Sequence, residues 1–196
     1  MRCPKCNSEM ILVNNIWVCG NLNAHKEPVF LYRKQELQLA FLNELPTPIA
    51  LLTNEYLNET IPFVKLHRMI DTVEMVVRYF FMVAVFDLYS QLGTFPEPYK
   101  MMLTRRLVKP LYSDWGELLS SALTNLGEKK KECIIKELPN IWFNRWKPMI
   151  GSNAGNPYQE FLPLRNNIAH AGRLTNQVAN KILSKFMGQF ESALKD

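Results

Sequence analysis

The stretch "IPFVKLHRMIDTVEMVVRYFFMVAVFDLYSQ", Ile61 to Gln91, decides the fold class of this 196-residue chain. Its apolar residues recur at intervals of three and four, which is the period of an α-helix with one face against a core. The most apolar part, Met75 to Phe86, is shorter than the roughly 20 residues that a bilayer requires, and it contains Arg78. We therefore expect a long buried helix and no membrane partner. The repeating positions are Leu66, Ile70, Val73, Val77, Phe80, Ala84 and Leu88.

Helical patterns also occur on both sides of this segment. Gln35 to Leu45 predicts a short helix, and Asp114 and Glu117 have the spacing of a capping-box variant before "LLSSAL". Thr175 is placed to cap a last helix whose apolar residues recur every four positions. The sequence thus predicts a mainly α fold, with a helical bundle over residues 34–196. The apolar positions of the last helix are Val178, Ile182, Phe186, Phe190 and Leu194.

Residues 1–33 have the pattern of a separate small domain. Met10 to Val13 and Ile16 to Cys19 are short apolar runs joined by "NN", which is typical of a β-hairpin. A domain of this size cannot bury a sufficient core, so it requires a metal or another covalent link. The N-terminus carries no secretory pattern, and we expect a cytoplasmic protein whose thiols stay reduced.

Three of the four cysteines lie in this N-terminal segment, which favours metal binding. Cys3 and Cys6 form "CPKC", Cys19 follows the hairpin, and His25 is the next side chain able to bind a metal. Four such ligands make a closed, structural zinc site with no open position, so no catalytic metal is expected. The fragment resembles a zinc ribbon, with "CPKC" as one knuckle and "CGNLNAH" as a degenerate second. A redox-active or incidental C-x-x-C is the alternative.

The segment "LPLRNNIAHAGRL", Leu162 to Leu174, concentrates polar groups in a helix-prone region. Asn166 and His170 share a helix face, whereas Arg165 and His170 are separated by about 140°. Histidine can transfer the proton of a 2′-hydroxyl or a leaving 5′-oxygen, and arginine can bind phosphate oxygens. These residues therefore suit phosphodiester chemistry without a divalent ion. The alternative is a polar helix turn in which His170 bonds a backbone carbonyl and Arg165 pairs with an acid.

"LRNNIAHAG", placed between a long helix and a final amphipathic one, resembles the R-N-x-x-x-H signature of the HEPN superfamily (higher eukaryotes and prokaryotes nucleotide-binding domains). The resemblance covers roughly Leu45 to Asp196. It implies an all-α, dimeric domain and a metal-independent endoribonuclease that leaves a 2′,3′-cyclic phosphate. By position it makes Arg165 the phosphate-stabilising arginine, Asn166 the adjacent polar residue and His170 the acid–base group. Glu74 on the long helix is a further catalytic candidate, although Glu74 and Arg78 also have the spacing of a helix ion pair.

The charge distribution is compatible with RNA as a partner. The formal net charge is +5, and from Asn125 onward 11 Lys and Arg residues stand against 6 Asp and Glu residues. In "IWFNRWKP", Arg145, Trp146 and Lys147 combine cations with an aromatic ring as single-stranded RNA requires, and Arg173 lies beside the motif. Alternatively, the two tryptophans of this segment pack into the core.

Two functions remain open at this stage. The first is an endoribonuclease of HEPN type, acting as a toxin or antiviral-defence effector on tRNA or mRNA, dimeric through its helical domain. The second is a non-catalytic HEPN and zinc-ribbon sensor or interaction module that binds nucleic acid, a nucleotide or a protein partner in a defence system.

Overall fold

The computed structural model describes residues 2–3, 6–13, 16–19, 21, 30–32, 41–150 and 175–195, and it is mainly helical, as predicted. Contacts divide the chain into two compact units, Met1–Ala50 and Leu51–Asp196. The division lies inside a helix, some way beyond the boundary after residue 33 that the sequence predicts.

The first unit contains a small antiparallel sheet. Its strands are β1 (Met10–Val13), β2 (Ile16–Cys19) and β3 (Phe30–Tyr32), in the order β1-β2-β3. Met10 lies opposite Cys19 in the β1–β2 register. This pairing brings the end of β2 back to the start of β1, where both side chains are buried.

Seven named α-helices occur among the described residues, together with a π-helical turn at Trp142–Trp146. They are α1 (Thr47–Asn58), α2 (Pro62–Leu92), α3 (Glu97–Arg106), α4 (Tyr112–Glu128), α5 (Leu138–Ile141), α6 (Lys147–Ile150) and α7 (Asn176–Ala193).

The long helix α2 is the central element of the second unit, and it packs against α4 and α7. Pro62 suits its first turn because proline has no N–H to satisfy there. Gly93 ends it in the left-handed conformation, with φ +69°, and donates its N–H to the Tyr89 carbonyl. All the apolar positions predicted for this helix are buried except Phe80, which is half-buried. The predicted helix and its buried face are confirmed.

Helix α4 begins three residues earlier than its acidic cap suggests. Asp114 is the third helical residue, where its carboxylate accepts the Leu111 N–H at 2.7 Å. Arg106 donates to the Asp114 carboxylate at 2.7 Å and pairs with Glu117 at 2.5 Å. Asp114 thus caps α4, and the ion pairs of Arg106 with Asp114 and Glu117 connect the start of α4 to the end of α3.

Helix α7 is capped as predicted, because the Thr175 hydroxyl accepts the Val178 N–H at 3.3 Å. Of the predicted apolar positions, Phe186, Phe190 and Leu194 are buried and Ile182 is half-buried. The prediction is wrong at the start of the helix, where Val178 is 42% exposed and Ala179 is fully buried. A strict four-residue repeat advances 40° per step around a helix of 3.6 residues per turn, so it drifts away from the core. The residues of α7 that are buried are Ala179, Leu183, Phe186, Phe190 and Ala193.

Two tryptophans complete the core of the second unit. Trp142 and Trp146 are each 1% exposed, and the Trp146 ring meets Phe80 and Phe190 edge-on. The π-helical turn between the tryptophans is followed by Pro148, which has no N–H to donate to the preceding turn. Among the described residues, no helix combines the length and apolarity needed to cross a membrane.

Candidate metal centre and nucleic-acid contacts

The first three cysteines come together at one point of the N-terminal unit. The Sγ atoms of Cys3, Cys6 and Cys19 all lie within 4.8 Å of one another, and those of Cys6 and Cys19 are 3.5 Å apart. None of the chain's four cysteines, all of which are described, forms a disulfide. Within the described part of the chain, these three thiols are the group able to hold a metal ion.

Local backbone geometry explains why Cys3 and Cys6 converge. The Cys3 N–H donates to the Ser8 carbonyl at 2.9 Å, and the Cys3 carbonyl accepts the Asn7 N–H at 2.9 Å. Asn7 has φ +60°, a conformation that asparagine tolerates better than most residues. These bonds close a tight turn that directs both thiols towards Cys19, which the β1–β2 pairing places nearby.

The distances match a tetrahedral thiolate site. With metal–sulfur bonds of about 2.3 Å, sulfur atoms at two corners of a tetrahedron are about 3.8 Å apart. The Cys6–Cys19 separation of 3.5 Å is close to that value. The three cysteines are therefore close enough together to hold one metal ion.

The two thiols closest together differ in acidity. Hydrogen bonds from the Ser8 hydroxyl and backbone lower the pKa of Cys6 to about 6, since they stabilise its thiolate. Burial raises the pKa of Cys19 to about 11, because the charged form loses its hydration. A bound cation would favour the thiolate form of both groups, because a thiol loses its proton when it binds a metal.

The fourth metal ligand predicted from the sequence, His25, lies outside the described residues. The same is true of Arg165, Asn166, His170 and Arg173. The catalytic roles that the sequence suggests for three of them stay predictions.

Glu74 lies in α2 and pairs with Arg78 one turn later. The Arg78 guanidinium in turn lies 5.2 Å from the centre of the Trp115 ring of α4. The ion pair that the spacing suggests is therefore present, and its cation packs on an aromatic ring. The Glu74 side chain is largely buried, with 18% of its surface exposed.

The residues predicted to contact RNA occupy different environments. Arg145 is exposed and Lys147 is half-buried, with its Nζ 5.1 Å from the centre of the Phe143 ring. Trp146 belongs to the core and offers no ring face to a base, contrary to the prediction. The alternative that both tryptophans of this segment pack inside holds in the structure.

Sequence inspection did not identify a cavity of about 510 Å³ that lies beside this segment. One wall is a face of α4 with small and hydroxyl-bearing residues, among them Gly116, Ser120 and Thr124. Phe143 and Lys147 line the other side. The signal in the sequence was the spacing of these α4 residues at threes and fours, which is equally typical of a solvent-exposed helix face.

Comparison of the chain with models of protein families, with characterised proteins and with solved structures finds no match. Function therefore has to be argued from the chain's own residues.

Proposed function

We propose that the chain is a metal-independent endoribonuclease of HEPN type, acting as a toxin or antiviral-defence effector, with an N-terminal zinc ribbon as a structural element. The observation that carries the proposal is the sequence R-N-N-I-A-H from Arg165 to His170. It stands between a long buried helix and a capped amphipathic helix, which is the order that the HEPN resemblance requires.

The chemistry follows from the residue types. His170 accepts the proton of an RNA 2′-hydroxyl, and that oxygen attacks the adjacent phosphorus. The bond from phosphorus to the 5′-oxygen breaks, and the 5′-oxygen takes up a proton from an acid in the site. The products are a 2′,3′-cyclic phosphate and a 5′-hydroxyl. Arg165 stabilises the charge that develops on the phosphate oxygens, and Asn166 orients the groups.

Glu74 supports the site from the long helix. A carboxylate that is mostly buried and ion-paired is held in one orientation, as a residue that positions a catalytic group must be. Its partner Arg78 is fixed by Trp115, so the arrangement is restrained on both sides.

A homodimer through the helical domain is part of the proposal. On an ideal α-helix, residues five apart such as Arg165 and His170 are separated by about 140°, and we infer that a second copy completes the site. The outer face of α2 supports such an association, because Met82, Phe86 and Tyr89 recur at intervals of four and three and are 62%, 65% and 53% exposed.

Zinc is the metal that we assign to the three cysteines, with His25 as fourth ligand. Thiolates favour soft cations, and three thiolates with one imidazole form a closed tetrahedral site. Such an ion contributes to folding and provides no position for a substrate, so the cleavage step needs no metal.

The test is cleavage of purified tRNA, messenger RNA and total RNA in the cytoplasmic pH range. EDTA is present, and protein-bound zinc is measured before and after. Wild-type protein should cut the RNA and leave cyclic-phosphate ends that mass spectrometry identifies. His170→Ala should reduce the rate by about 10² to 10⁴-fold, the usual contribution of a general acid or base.

Arg165→Ala should show a loss of similar size, and Arg105→Ala is its matched control. Arg105 is exposed in α3, so this change removes the same charge and leaves cleavage intact. Cleavage that survives His170→Ala, or that requires added magnesium, contradicts the proposal. RNA that is bound but never cut by the wild-type chain would identify the non-catalytic sensor or interaction module instead.

A further inference from the structure

The cavity beside the π-helical turn has the dimensions and lining of a ligand site. Its volume of about 510 Å³ lies within the range of roughly 300–1,000 Å³ that is typical of small-molecule pockets. Its lining combines aromatic rings, hydroxyls and one lysine.

Helix α4 has two distinct faces, one that packs into the core and one that lines the cavity. Its core face carries leucines such as Leu118 and Leu119, both fully buried. The face that lines the cavity carries no large apolar residue of α4 beyond Tyr112 at its start.

The ring of Trp142 packs against this wall. A methyl group at position 116 would lie 3.4 Å from the ring, an ordinary van der Waals distance, and the Trp142 Nε1–H donates to the Ser120 hydroxyl at 2.9 Å. The hydrogen bond to Ser120 thus holds the tryptophan against α4. Its neighbour Phe143 lies next to it along the cavity.

The charged side chains of the cavity lining are Glu117 and Lys147. The Glu117 carboxylate pairs with Arg106 at 2.5 Å, and Arg106 also donates to Asp114 at 2.7 Å, so one guanidinium is shared by two carboxylates. Lys147 contacts the Phe143 ring, with its Nζ 5.1 Å from the ring centre, and its long side chain can turn towards a bound phosphate. Within the described lining, Lys147 is the cation.

We propose that this cavity binds one nucleotide of a single-stranded RNA, with the base against Phe143, the phosphate on Lys147 and polar edges of the nucleotide on the hydroxyls of Ser121 and Thr124. A planar ring, an anion and several hydrogen-bonding groups in one small ligand are the properties of a nucleotide, and aromatic stacking beside a cation is how proteins bind unpaired bases. The assignment to RNA, rather than to a free nucleotide, rests on the proposed ribonuclease function. The chain passes from Ile150, which lines the cavity, directly into residues 151–174, which contain the motif.

The test measures binding of short unpaired oligoribonucleotides and of nucleoside 3′-monophosphates, all to the full chain carrying His170→Ala, so that no RNA is consumed. Phe143→Leu should weaken oligonucleotide binding by about 5- to 150-fold, as expected for the loss of one stacked base. Lys147→Gln should lower the magnitude of the slope of log affinity against log salt by about 0.7, the value for one phosphate contact on a single strand.

Two matched controls separate these effects from general ones. Met187→Leu changes an exposed apolar residue of α7 outside the cavity, and Lys181→Gln removes an exposed charge from the same helix. Both should leave binding unchanged. If Phe143→Leu disturbs folding, as judged by helical circular dichroism, Lys147→Gln and Thr124→Val still test the cavity.

Equal binding by the cavity variants and the controls would overturn the proposal. Binding of monophosphates with the same sensitivity, and none of oligonucleotides, would overturn the RNA assignment and leave a free-nucleotide site. If the wild-type chain cuts RNA and the cavity variants bind RNA normally, this inference is contradicted and the ribonuclease proposal is not. If the wild-type chain never cuts RNA and the cavity variants lose binding, the ribonuclease proposal is contradicted and this inference is not.

Discussion

The two units of this chain differ in what stabilises each of them internally. Around the sheet of the N-terminal unit, the buried cluster consists of Cys3, Met10 and Cys19, with Cys6 packed against it. The helical unit buries two tryptophans, three phenylalanines and several leucines at 2% exposure or less. Burying one large apolar side chain contributes about 1.5–3 kcal/mol, so among the described residues the helical unit has an ample hydrophobic core and the cysteine cluster has very little. From this difference we predict that the N-terminal unit depends on a metal ion bound by its cysteines.

The largest effect is expected where this dependence is removed. Cys6→Ser should abolish binding of about one zinc ion per chain and unfold the N-terminal unit, because a structural zinc site supplies folding free energy directly. The helical unit should keep its thermal transition. Metal analysis by mass spectrometry and far-ultraviolet circular dichroism measure the two outcomes.

Cys133→Ser is the matched control for this change. Cys133 lies in the helical unit, where burial raises the pKa of its thiol, so it remains a neutral side chain that binds no metal. Zinc content should be unchanged in this variant. Lowering the pH of the wild-type protein should also reduce its zinc content, because protons compete with the metal for thiolate ligands. Full zinc occupancy in Cys6→Ser would contradict the assignment.

A change in the helical core should have the opposite selectivity. Trp146→Ala should lower the free energy of unfolding of the helical unit by about 3–5 kcal/mol, since the ring is enclosed by Phe80 and Phe190. Zinc content should stay at the wild-type level. Urea unfolding followed by circular dichroism gives the free energy.

Leu51→Ala serves as the comparison for the tryptophan, since the Leu51 side chain is 62% exposed and its removal should change the free energy of unfolding by about 0.5 kcal/mol or less. Equal losses in both variants would show that Trp146 is not a core residue.

The smallest effect concerns a local strain in the helical unit. Lys130 has φ +52° just after α4, a conformation that costs a non-glycine residue roughly 1–2 kcal/mol. Lys131 donates its N–H to the Leu126 carbonyl at 2.9 Å, which completes the helix end around this residue. Lys130→Gly should therefore raise the free energy of unfolding by about 1 kcal/mol.

Lys129→Gly tests whether that gain is positional. Lys129 has φ −84°, an ordinary value, so glycine there gives no relief and should lower stability slightly. The thermal midpoints of the two variants, measured at one protein concentration, should move in opposite directions.

Much of this architecture could be predicted from the sequence because one period dominates it. The apolar repeat of α2 identified its face, and "CPKC" with Cys19 identified the cysteine cluster. The face of α7 was harder to predict, because a four-residue repeat is only close to the true helical period. Val178 therefore lies partly in solvent and Ala179 lies in the core.

The two kinds of candidate site differ in the same way. Two cysteines with two residues between them are typical of a metal site and have few other structural explanations. A tryptophan beside cations can either stack on a base or pack in the core, and Trp146 packs in the core. The α4 wall of the cavity was not predicted, because serine and threonine at helical spacing are also typical of a solvent-exposed helix face. The packing of the Trp142 ring beside Gly116 and Ser120, a contact between segments distant in the sequence, distinguishes the cavity wall from such a face.

The π-helical turn at Trp142–Trp146 has a consequence for how this chain can vary. Such a turn closes its hydrogen bonds over one more residue than an α-helical turn, so it is equivalent to a single inserted residue. Deleting one residue there would restore α-helical spacing and leave the residues that follow, Lys147–Ile150, in their orientation. In an alignment, a one-residue gap at this turn would therefore be compatible with an unchanged helix after it, whereas a gap elsewhere in the helix would rotate the following residues by about 100°.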